Sequence, residues 1–107
     1  DYVRGMWQML QHNEPDDFVL ATGQVHSIEQ FLDLAFREIG IHDWSPYVKQ
    51  SSALVRPAEV DILLGNPAKA ERVLGWKRRV DFPGLVNRMV QHDIQDLKDR
   101  STRRTGL

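Results

Sequence analysis

The sequence predicts an α/β chain rich in helix, an α+β piece of about four helices and two or three short strands. Three observations lead there. Apolar residues recur at helical spacing in four stretches of the chain, and short apolar runs bounded by glycine or proline lie between them. The strands are too short and too few to build an independent doubly wound sheet. They suit strands that add to, or pack beside, structure supplied by other segments.

The elements follow in order. Val3, Met6, Trp7 and Leu10 share one face of a helix from about Tyr2 to Gln11. His12 to Asp17 is polar and contains Pro15, which marks a loop. Phe18 to Thr22 is a short apolar run ended by Gly23, as in a buried strand. Ser27 caps a second helix, because its hydroxyl can accept from an otherwise orphaned N–H. Ile28, Phe31, Leu32, Ala35, Phe36 and Ile39 carry that helix, and Gly40 stops it. Ile41 to Ser52 has no clean period; Trp44, Pro46 and Tyr47 make it an irregular connection able to touch a ligand or another chain.

Ala53 to Val55 reads as extended, and Ile62 to Leu64 as a further short strand before Gly65-Asn66-Pro67. Pro67 opens a short helix with Ala70, Val73 and Leu74 inward and Gly75 at its end. The last helix runs from about Phe82 to Lys98 on Leu85, Val86, Met89, Val90, Ile94 and Leu97. Residues 1–98 thus form one lobe, and residues 99–107 are expected to be a polar, frayed tail.

Bulk properties narrow the function classes. The chain has 107 residues, enough for one domain with a core of its own. A net charge of −1 favours neither nucleic acid nor an acidic membrane surface. No apolar run approaches the roughly 20 residues that span a bilayer. The absence of cysteine excludes disulfides, thiolate metal sites and a cysteine nucleophile, and fits a reducing cytoplasm. The chain opens on Asp1 inside an amphipathic pattern, so we expect a piece of a longer polypeptide.

Most chemical signatures are missing. The seven glycines are scattered and none forms the dinucleotide fingerprint. No phosphate-binding loop or nucleophile elbow occurs. Neither tyrosine is followed four residues later by lysine, since Met6 and Ser51 stand there. The histidines at 12, 26, 42 and 92 are dispersed, with no metal-ligand spacing. We therefore assign no catalytic, cofactor-binding or metal-binding residue to this chain.

One stretch carries candidate binding chemistry: Leu54-Val-Arg-Pro-Ala-Glu-Val-Asp61. Proline disfavours the helical region for the residue before it, so Arg56 is expected to be extended or a helix cap. Pro57 suits the first position of a helical turn, which brings Glu59 into that turn on nearly the same face as Arg56. Arg56 could fork two hydrogen bonds onto a phosphate while Glu59 accepts from sugar hydroxyls. The competing reading is a surface ion pair of Arg56 with Glu59 or Asp61, contributing roughly 0–1 kcal/mol. On spacing alone that pair is the stronger reading. Trp7 and Trp76 could stack on a ring, but their positions favour the core. His26 reads as an exposed loop residue, Lys77-Arg78-Arg79 is too short to argue for nucleic acid, and Asp16-Asp17 solvates a loop.

Three motifs, read together, add to this. Asp1-Tyr-Val-Arg-Gly-Met-Trp7 with Met9-Leu-Gln11 resembles the helix after the R-D-W-G-H-A-x-D-Y-V segment of GDP-mannose 4,6-dehydratases. Glu14 to Gly23 and Val25-His-Ser27 look like that family's strand-and-cap passage. Arg56-Pro-Ala-Glu-Val-Asp61, Leu64-Gly-Asn-Pro-Ala-Lys-Ala70 and Leu74-Gly-Trp-Lys77 are similar to its R-P-x-E-V-D and L-G-D-P-x-K-A…L-G-W-K run. The resemblance covers the chain to about Lys98.

The resemblance implies the carboxy-terminal substrate-binding lobe of an extended short-chain dehydrogenase/reductase, without its Rossmann domain. It implies the conversion of GDP-mannose to GDP-4-keto-6-deoxymannose with a tightly bound NADP, in GDP-deoxysugar biosynthesis. The groups that run that chemistry would lie upstream, leaving this chain inactive alone and without a cofactor of its own. Arg56 would contact the GDP phosphates and Glu59 the ribose hydroxyls. The complete enzyme would be a cytoplasmic homo-oligomer. Alternatives are the same lobe of another nucleotide-sugar epimerase, reductase or dehydratase, or a non-enzymatic helical interaction module. Asn66 stands where the family usually has aspartate, Arg78 replaces a common proline, and Ile41–Ser52 matches poorly.

Overall fold

A computed structural model describes residues 1–58 and 60–105. Among them are four α-helices: α1 (Tyr2–Gln11), α2 (Ile28–Glu38), α3 (Ala68–Leu74) and α4 (Phe82–Thr105). Two 3₁₀ turns, Ser45–Tyr47 and Ser52–Leu54, complete the regular structure. The chain divides into two compact units, Asp1–Val25 with Leu54–Val80 and His26–Ala53 with Asp81–Leu107.

The two or three strands expected from the sequence are not present among the described residues. Ala53 and Leu54 lie in a 3₁₀ turn, while Phe18–Thr22 and Ile62–Leu64 run without a ladder. The physical reason is that β structure is a property of pairs. An apolar run adopts a strand only when a neighbour takes its N–H and C=O groups. Here Gly65, just after the second run, lies instead against the side chains of Val19 and Ala21. A Cβ built on Gly65 would lie 2.4 Å from the Ala21 Cβ and 3.5 Å from Val19 Cγ1. The fold of the described residues is therefore helical.

The first unit is built on Trp76, which is only 1% exposed, and Ala70, which is fully buried. The indole N–H of Trp76 donates to the Asp1 carbonyl at 2.9 Å, and Tyr2 stacks on its ring at 6.2 Å. Asp1 Oδ2 accepts from the backbone N–H groups of Arg79 and Val80, at 3.0 and 3.1 Å. Arg4 bridges the same carboxylate at 3.5 Å and donates to the Lys77 carbonyl. These contacts hold the start of α1 to the chain after α3. Gly5 is buried because there is no room for more: a Cβ there would come within 2.6 Å of Leu20 and 3.0 Å of Trp76 Nε1. At its far end α3 stops where Gly75 turns left-handed at φ 65°, returning its N–H to the Ala70 carbonyl.

The second unit pairs α2 with α4. Ser27 and Gln30 form a reciprocal capping box with both hydrogen bonds at 3.1 Å. Gly40, at φ 78°, ends the turn after α2 as expected. Asp81 caps α4 by accepting from Gly84 N–H at 2.9 Å. Val86 is fully buried, and Val90 and Ile94 continue its row half-buried, while Leu85, Met89 and Leu97 lie outward. The 41–52 connection folds back on α2. Trp44 Nε1 donates to Asp33 Oδ1 at 2.7 Å, and Tyr47 stacks on Phe36 at 5.7 Å. Helix α4 runs to Thr105, past Lys98, the end that its apolar row predicts. Pairs one turn apart, Gln95 with Asp99 and Asp96 with Arg100, support the polar turns after the apolar row lapses.

Candidate functional site

Arg56 lies just after the second 3₁₀ turn, exposed, in a stretch without regular structure. Its neighbours Leu54 and Val55 are exposed as well. The backbone bends at Pro57 and Ala58, and the helical turn expected to start at Pro57 does not form over the described residues. A single turn fixes many dihedrals for one hydrogen bond, so an isolated proline start is a weak nucleus. Glu59, the second residue of the expected pair, falls outside the described residues. Of the competing ion pairs, Arg56 with Asp61 is not formed; among the described residues the ion pairs involve Arg4, Lys69 and Arg100. An exposed guanidinium without a carboxylate partner among those residues keeps its planar fork of donors available to a phosphate.

The other sequence candidates separate clearly. Trp76 is core, with its N–H committed to Asp1, so it offers no free ring face. Trp7 is 60% exposed, against the expectation that its helical position buries it. His26 stacks face to face on Phe82, with centroids 3.8 Å apart and planes 3° from parallel. The basic triplet is tied into the first unit: the Lys77 carbonyl accepts from Arg4, Arg78 donates to Gln24 Oε1, and the Arg79 N–H donates to Asp1. Asn66 works as a turn cap, its Oδ1 accepting from Ala68 N–H at 3.0 Å.

Asp16 does more than solvate a loop. Lys69 bonds it at 2.8 Å and also sits 5.2 Å over the Phe18 ring. That hydrogen bond, with the Asp17 N–H, holds the Asp16 carboxyl below the ordinary 3.8. Asp43 is lowered likewise, first by the Ser45 hydroxyl and then by the Ser45 N–H. Both groups are held as acceptors, which suits loop ordering rather than proton donation.

Open depressions within the units include two beside the sequence candidates. One, of about 310 Å³, is lined by Trp7, Gln8, Gln11, His12, Val73 and Leu74. Gln8 Nε2 donates to the Leu74 carbonyl at 3.2 Å, while its buried Oε1 has no partner among the described residues. The other, of about 320 Å³, lies beside the His26–Phe82 stack and includes Arg37 and Asp33. Sequence reasoning missed both, as well as the close approach at Gly65. A glycine inside a helix, as at Gly5, was the one local signal of tight packing on α1.

The family model for GDP-mannose 4,6 dehydratase matches residues 1–89, which include the Arg56 segment, the α3 turn and the Trp76 core. The chain belongs to the GDP-mannose 4,6 dehydratase family. It is 48% identical over 95 residues to GDP-mannose 4,6 dehydratase 2 of Arabidopsis thaliana, covering 89% of this chain and 25% of that protein. It is 42% identical over 115 residues to the dehydratase of Dictyostelium discoideum, covering 92% and 32%. Against the dehydratase of Vibrio cholerae it is 33% identical over 127 residues, covering 94% and 34%. The chain thus spans about a quarter to a third of the length of these dehydratases.

A dinucleotide pyrophosphate cradle needs clustered glycines opening a helix. The left-handed glycines here, Gly23, Gly40 and Gly75, stand singly at turns and helix ends. Among the described residues these three glycines do not form such a cradle. Among the described residues no helix is long and apolar enough to cross a membrane.

Proposed function

We propose that this chain is the substrate-binding part of a GDP-mannose 4,6-dehydratase, a lyase that converts GDP-mannose to GDP-4-keto-6-deoxymannose in the cytoplasm. Residues 1–98 serve as its substrate-binding lobe. In this reading Arg56 grips the GDP phosphates, and Glu59 accepts from the ribose hydroxyls. NADP and the catalytic groups belong to the remainder of a full-length, homo-oligomeric enzyme, and this chain alone is inactive. The observation that carries the reading is Arg56 itself. It is exposed, it has no acidic partner among the described residues, and it sits in a family-matched Arg-Pro-Ala-Glu segment.

The chemistry is consistent with the role. A diphosphate offers paired oxygens that match a guanidinium fork, and the bidentate contact sets orientation as well as affinity. The test is a chimera in which this chain replaces the matching quarter of the Arabidopsis dehydratase 2, titrated with GDP-mannose by calorimetry. Arg56→Ala should weaken binding by about 2 kcal/mol, the scale of a charged hydrogen bond. Arg56→Lys should restore only part of it, because a point charge replaces a fork. Unchanged affinity in the alanine variant would remove Arg56 from the site.

A further inference from the structure

We draw no further inference here: the strongest candidate, the open depression of about 320 Å³ along α2 beside the start of α4, presents no polar group that points to a ligand, since His26 is stacked on Phe82, Asp33 Oδ1 accepts from Trp44, and the buried side-chain atom without a partner among the described residues, Gln8 Oε1, lies in the other unit.

Discussion

Helices α1 and α2 carry the same kind of apolar periodicity and end up in opposite situations. Residues 31–36 of α2 are all at least partly covered, by α4 and by the returning 41–52 connection. The stripe of α1 faces outward while its glycine faces in. The difference lies in what the local chain supplies. Helix α2 has a partner of ample length within its own unit, whereas the helix beside α1 among the described residues of its unit is the seven-residue α3. Periodicity thus reveals that a face exists, but not what covers it.

The largest effect should come from the anchor of the α1 unit. Trp76→Ala removes a fully packed ring together with its hydrogen bond to Asp1, and should destabilise the chain by about 3–5 kcal/mol in urea unfolding followed by circular dichroism. A loss below about 1 kcal/mol would mean that this unit has no real core. Next, Gly65→Ala places a methyl group on Ala21, whose own methyl has no rotamer to escape into; about 1–3 kcal/mol should be lost in the same assay. Wild-type stability in that variant would show that Gly65 does not meet Ala21.

In the α2 unit, Ser27→Ala leaves the Gln30 N–H without its acceptor and should cost about 1 kcal/mol. The smallest effect concerns pH. The Asp43 carboxyl is lowered below 3.8 by the Ser45 hydroxyl and N–H, so this contact contributes fully above 3.8 and is lost as pH falls through the lower folded value. Carboxyl-detected NMR should place the Asp43 midpoint below 3.8, and Ser45→Ala should move it back toward that value. A midpoint unmoved by the substitution would deny Ser45 its part in ordering the loop.

Features encoded within a few residues of each other were legible in the sequence. The Ser27 cap, the Gly40 and Gly75 stops and the start of α4 all follow from short-range chemistry. What failed was non-local. Phe18–Thr22 and Ile62–Leu64 have strand composition, but a ladder needs a partner the pattern cannot name. Trp7 has a core position in the periodicity and lies outside because Gly5 lets the other face pack closer. The apolar row predicts too early an end for α4, because it stops before the polar pairs do. At the candidate site, the sequence led to Arg56 only through its neighbours in the motif, since spacing alone favours an ion pair, and the helical turn expected after it does not form over the described residues.

The most direct measurement of the central claim is GDP-mannose turnover by the Arabidopsis chimera, followed by appearance of the 4-keto sugar, beside the isolated chain. The predicted result is conversion by the chimera and none by the chain alone. A folded chimera without turnover, or turnover by the chain by itself, would contradict it.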